Sequence, residues 1–163
     1  MAEDTPAPAR DIVVIGASAG GVPALLRIVA ALPADYRGTL FIVMHFAAGG
    51  RTLLADILQR SSALNVSTAI DGAPIEPGHV YVARPDRHLL LTPGVLRVVR
   101  GPRENRHRPA ADPLFRSAAW AYGTRVAGVV LSGMLTDGTA GLWAHRVVHD
   151  PGEVFSAPFP TRE

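Results

Sequence analysis

The sequence contains no cysteine and no lysine. Without cysteine there is no disulfide framework, no thiolate zinc site and no cysteine nucleophile; a cytoplasmic location fits that composition best. Without lysine there is no lysine general base, no Schiff base and no P-loop lysine. All 16 basic residues are therefore arginine. That explains a pI of about 9.7 beside a net charge of only +2, because nothing titrates near the lysine pKa. The net charge gives no reason to expect nucleic acid. Aromatic residues make up only 6% of the chain and are not interleaved with the arginines, which argues against a base-stacking platform. No apolar run reaches membrane-spanning length without a charge, proline or glycine, so no membrane insertion is expected. Residues 1–10 are acidic, carry no apolar core and read as a short disordered tail rather than a signal peptide.

The stretch Asp11-Ile-Val-Val-Ile-Gly-Ala-Ser-Ala-Gly-Gly21 organises what remains. A β-branched run ends in glycine, a lone serine sits at the turn, and a helical pattern follows. This describes a strand buried on both faces, a tight loop and a helix N-terminus. Helical spacing is expected over 22–32, 52–60, 112–122 and 139–146. Strands are expected over 11–15, 39–44, 66–70, 79–83, 88–91, 95–99 and 126–131, with a stub at 147–149. The strands at 88–91 and 95–99, joined through Thr92-Pro-Gly94, read as a hairpin. Asp112 and Pro113 read as the N-cap and first position of the third helix. Strands alternating with helices imply an α/β fold, a three-layer, doubly wound, mostly parallel sheet with an inserted antiparallel hairpin. Residues 11–163 read as a single domain.

In parallel sheets ligands bind outside the carboxyl ends of the strands. Ser18 follows the first strand, His45 the second and Asp137 the strand at 126–131, so a nucleophile, a base and a carboxylate fall on one sheet edge. A serine hydroxyl needs a base to take its proton, and the base needs an orienting acid. Gly16-Ala-Ser-Ala-Gly20 fits the G-x-S-x-G elbow, and the amides after Ser18, Ala19 first, could receive an oxyanion. From the pattern alone the loop could equally be a phosphate cradle. Against that, Ser18 stands where a dinucleotide fingerprint needs glycine, His45 stands where it needs an acid, and the P-loop lysine is absent. The order Ser, His, Asp also departs from ordinary α/β-hydrolases.

Rival histidines are His79, His88, His107, His145 and His149, none of which ends a buried strand beside the serine turn. Asp71 and Asp86 read as turn residues. His79, His88, His107, Asp86 and Glu104 match no zinc spacing, so no metal is assigned. Arg97, Arg100, Arg103, Arg106 and Arg108 form a basic cluster. It is either a solvated loop or an attractor for an acidic protein substrate.

Taken together, these segments resemble the CheB-type chemoreceptor glutamate methylesterases. Val14-Ile-Gly-Ala-Ser-Ala-Gly-Gly21 resembles the family's nucleophile loop and Val43-Met-His45 its histidine strand end. Gly78-His-Val-Tyr-Val-Ala-Arg-Pro-Asp-Arg-His88 and Arg108-Pro-Ala-Ala-Asp-Pro-Leu-Phe-Arg-Ser-Ala118 resemble two further signatures. Leu131-Ser-Gly-Met-Leu-Thr-Asp-Gly138 resembles the segment bearing the triad aspartate. The resemblance covers about residues 12–142. It implies Ser18 as nucleophile, His45 as base and Asp137 as its orienting carboxylate, with the Met134 amide helping the oxyanion hole. It implies hydrolysis of glutamate γ-methyl esters on the cytoplasmic helices of chemoreceptors, releasing methanol, and deamidation of receptor glutamine in many members. No cofactor is implied.

Four features depart from the family pattern. Ala19 stands where many members have threonine. Ten residues before the first strand leave no room for the usual receiver domain, so control is expected from a separate response regulator. A Gly-Gly turn is missing between Arg146 and Val147. The end, Ala157-Pro-Phe-Pro160, stops short of a last helix. That shortening would expose apolar surface, for which lower stability or a homodimer is the expected consequence. An inactive, truncated homologue serving as a receptor- or partner-binding module is the competing expectation.

Overall fold

The computed structural model describes residues 9–45, 53–131 and the two-residue strand 155–156. The expected helix at 139–146, the stub at 147–149 and most of the N-terminal tail lie outside these residues. The expected fold class is borne out. Six parallel strands form one sheet in the order β3-β4-β2-β1-β7-β8, and a separate antiparallel pair, β5-β6, is the inserted hairpin. The strands are β1 (Ile12–Ala17), β2 (Thr39–Met44), β3 (Asn65–Thr68), β4 (His79–Val82), β5 (His88–Thr92), β6 (Val95–Val99), β7 (Val126–Val130) and β8 (Phe155–Ser156). The helices are α1 (Val22–Ala31), α2 (Leu54–Gln59) and α3 (Ala111–Tyr122), with short 3-10 turns at Ala19–Gly21 and Gly123–Arg125.

The continuous apolar runs of β1 and β2 are explained by their central place. Successive side chains of a strand alternate between faces, and here both faces are covered. Ile12 and Val14 of β1, with Phe41 and Val43 of β2, join the core beneath α3 and the hairpin, where Leu89, Leu96, Leu114 and Phe115 are buried. Ile15 and Ala17, with Leu40, Ile42 and Met44, join the opposite core against Leu25 and Val29 of α1 and Leu54 and Leu58 of α2. This makes the third layer. Gly16 faces α3, and a Cβ built on it would lie 2.9 Å from the Ala111 Cβ and 3.6 Å from Cζ of Phe115. The missing side chain lets the start of α3 close directly onto β1.

Three local expectations need correction. The second helix is six residues long, Leu54–Gln59, rather than spanning 52–60. Asp112 is not the N-cap of α3. The helix begins at Ala111 with Ala110 as its cap, Pro113 is third in the helix rather than first, and the buried Asp112 carboxylate accepts a 2.7 Å hydrogen bond from Asn105 Nδ2. Burial of Ala110 and Ala111 against the core sets the helix start two residues earlier than capping preference alone suggests. Finally, the continuous apolar run at 126–131 reads, like the first strand, as buried on both faces, and β7 is not so along its length. Val126 is buried, but Ala127 to Val130 are half-buried; among the described residues the two-residue β8 is what lies beyond β7 in the sheet.

Candidate functional site

Residue pairing places the first two candidate side chains side by side. β1 and β2 are parallel, with Ala17 opposite Met44 in the ladder. The next residues along are Ser18 and His45. The His45 amide donates to the Ala17 carbonyl at 2.9 Å, so the ladder continues one step past the named strands. Ser18 is still extended (φ −95°, ψ 174°) before the chain turns, and its carbonyl accepts from the Gly21 amide at 2.8 Å. By the alternation that sends Val14 and Gly16, and Phe41 and Val43, towards α3, Ser18 and His45 occupy positions of the α3 parity. Both are half-buried.

The chain leaves β1 towards β2 on one side, while β7 adds to β1 on the other, so the strand order reverses at β1. In open α/β sheets that reversal marks the crevice where ligands bind. The Leu131 amide donates to the Gly16 carbonyl at 2.9 Å, which carries the end of β7 alongside the serine strand. Asp137 and Met134 lie outside the described residues. Ala19 begins the 3-10 turn directly after Ser18.

A residue passed over in the sequence comes to the site from the arginine-rich loop. The His107 ring stacks on the His45 ring with centroids 3.7 Å apart and planes within 1°. The loop is built to hold it there. Glu104 and His107 exchange two backbone hydrogen bonds, of 3.0 and 2.8 Å, around Asn105 and Arg106. Both central residues have positive φ, 49° and 69°, as a type I′ turn requires. For Arg106 this conformation costs about 1–2 kcal/mol, and such strain persists only where surroundings enforce it. They do so here. Asn105 Nδ2 is tied to Asp112, Arg116 donates to both Glu104 oxygens at 2.9 and 2.8 Å, and Arg108 donates to Asp86 Oδ1 and, at 3.0 Å, to the Gly101 carbonyl. The sequence held no local signal for this, since the closure of the following helix on Gly16 is a matter of packing alone. Periodicity could not expose it, because the loop has none.

The other candidates are structural. His88 is buried, with Nε2 2.7 Å from the Pro102 carbonyl and Nδ1 accepting from the Ala110 amide at 3.2 Å. Only the Nε2–H tautomer serves both partners. His79 Nε2 lies 2.7 Å from Ser67 Oγ, and burial lowers the His79 pKa below 6.5. Among the described residues no three His, Asp or Glu side chains converge as metal ligands. The basic cluster is partly neutralised. Arg97 pairs with Asp71, Arg100 and Arg108 with Asp86, whereas Arg103 and Arg106 are exposed and make no ion pair among the described residues. A cavity of about 580 Å³ between the hairpin and α3, lined by Leu90, Val99, Pro102, Pro113 and Trp120, includes neither Ser18 nor His45.

The loop clamp has a pH signature. Hydrogen bonding by Arg108 holds the Asp86 carboxyl below its ordinary 3.8, and hydrogen bonding by Arg125 does the same for Asp11. Folded values below unfolded ones mean that this stabilisation is complete above the unfolded value and is lost as pH falls through 3.8 towards the folded pKa. The melting temperature of wild type is therefore expected to fall below about pH 4 more steeply than that of Asp86→Asn. Parallel curves for the two proteins would remove Asp86 from the account.

Residues 13–151 match the family described as CheB methylesterase. Protein-glutamate methylesterase/protein-glutamine glutaminase 2 of Anaeromyxobacter dehalogenans is 43% identical over 150 residues, 90% of this chain and 43% of the relative. Protein-glutamate methylesterase/protein-glutamine glutaminase 5 of Myxococcus xanthus is 41% identical over 86% of this chain and 41% of its own length. The chain thus spans about two fifths of the length of these curated relatives. The crystal structure of the Thermotoga maritima CheB methylesterase catalytic domain matches with a TM-score of 0.81 at 34% identity, over 86% of this chain and 76% of that one. A family match over most of the chain, relatives above 40% identity and a shared fold lead to one conclusion: this chain belongs to the CheB methylesterase family.

Proposed function

We propose that this protein is a serine esterase that hydrolyses glutamate γ-methyl esters on the cytoplasmic helices of chemoreceptors, and that it also deamidates receptor glutamine. The observation that carries the reading is the pairing of Ser18 and His45 at the carboxyl ends of neighbouring parallel strands in a chain of this family. In this reading Ser18 Oγ attacks the ester carbonyl while His45 takes its proton. The tetrahedral intermediate places negative charge on the carbonyl oxygen, for which the backbone amides of Ala19 and Met134 serve as donors. The intermediate collapses, the C–O bond to methoxide breaks, and His45 returns the proton so that methanol leaves. Water, deprotonated by His45, then attacks the acyl-serine and releases glutamate and Ser18. Asp137 holds the imidazole in the tautomer that accepts the serine proton. Every step is proton transfer or acyl transfer, and the reaction calls for no cofactor. Exposed Arg103 and Arg106 suit a partner surface that becomes more acidic as esters are cleaved.

Two measurements test the reading. A fluorophosphonate probe is expected to label a single residue, Ser18, and a methylated receptor fragment is expected to release methanol in proportion to active enzyme. A folded sample that neither labels nor releases methanol would instead be a binding module built on the same fold.

A further inference from the structure

We propose that His107 is a positioning residue for His45, acting through the face of the imidazole rather than through either of its nitrogens. The proposal rests on the esterase reading above, and it adds a fourth side chain to that machinery. An imidazole base must present one nitrogen to the serine and the other to its orienting acid, so its plane has to contain both directions. In-plane partners do not by themselves stop the ring tilting about the line that joins them. A flat ring at 3.7 Å, parallel to within 1°, blocks that tilt. It also excludes water from one face of the base.

The loop has the rigidity this role demands. His107 follows two positive-φ residues, and its turn is closed by two backbone hydrogen bonds. The turn is anchored on α3 through Asn105–Asp112 and Arg116–Glu104, and on the segment before the hairpin through Arg108–Asp86. Strained conformations held by converging contacts are characteristic of parts whose geometry matters to function. The device is also linked to the nucleophile strand. Ala111, four residues after His107, closes onto the bare Cα of Gly16, two residues before Ser18. One helix start therefore fixes the distance between the serine strand and the ring that steadies its base.

The test compares three variants of the full chain: His107→Ala, His107→Phe and His107→Leu. Methanol release from a methylated receptor fragment gives kcat and KM, and the rate of fluorophosphonate labelling of Ser18 reports the serine–histidine pair without the receptor. Misplacement of a catalytic group costs up to about 100-fold in rate. The expected result is therefore that His107→Ala lowers kcat and the labelling rate by about 10- to 100-fold, with KM within about twofold. His107→Phe, which restores a flat face but no nitrogens, is expected to recover most of both rates, whereas His107→Leu, which restores volume without a plane, is not. Equal rates in all three variants and wild type would overturn the proposal. So would a Phe variant as slow as Leu, or a defect confined to KM, which would make His107 a substrate contact. Should His107→Ala fail to fold, the Phe-against-Leu comparison decides alone. Loss of labelling in wild type would defeat the esterase reading instead, so the two failures are distinguishable.

Discussion

Ser18→Ala is expected to lower methanol release from a methylated receptor fragment by about 10⁶-fold, the scale on which removal of a triad serine acts. The reason is not a lost contact. Alanine leaves the carbonyl with no nucleophile, and the remaining donors can only polarise it towards water. The fold has no stake in the hydroxyl's reactivity. The backbone around residue 18 is held by the Gly21 amide on the Ser18 carbonyl and by the ladder from Ala17 to His45, neither of which involves the side chain. Stability should change by no more than about 1.5 kcal/mol, the scale of a single hydrogen bond. The measurement is a paired one, methanol release alongside urea denaturation of the same sample. Activity within tenfold of wild type in the folded variant would sink the serine mechanism.

Phe115→Ala is expected to have the largest effect on stability, about 3–5 kcal/mol. Phe115 is 2% exposed and lies in the core with Val14, Phe41 and Leu114. Its ring fills the space beside Gly16, where β1 offers no side chain of its own. Truncation leaves a cavity on both sides of that contact, and β1, central in the sheet, cannot collapse into it. A domain of this size has about 5–15 kcal/mol in total, so the loss takes a large share of it. A urea midpoint shifted down at unchanged m-value is the expected readout. A shift worth less than about 1 kcal/mol would mean that the α3–β1 contact relaxes freely.

Particular elements indicate how much of this was legible in the residues. The runs at 12–17 and 39–44 are apolar on both faces, and only strands at the centre of a parallel sheet bury both. That single fact, with helical spacing between strands, was enough for the fold class and for one shared sheet edge at Ser18 and His45. The elbow pattern and the missing lysine narrowed the chemistry, and the ordered motifs named the family. Capping at Asp112 was misjudged because a short polar residue before proline looks the same whether it caps a helix or is drawn inside one by burial of its neighbours.

What sequence alone determined is what depends on local pattern: burial on two faces, turn chemistry, and which residue types follow which strand. What only the tertiary structure decided is what depends on two distant segments meeting. The loop at 101–109 has no periodicity and four charged side chains, and by composition it belongs in solvent. Yet α3 closes onto a glycine of β1, and this brings the His107 ring flat against His45 across 62 positions of sequence. A missing Cβ at residue 16 and a helix start at residue 111 carry no local mark of each other; only packing relates them.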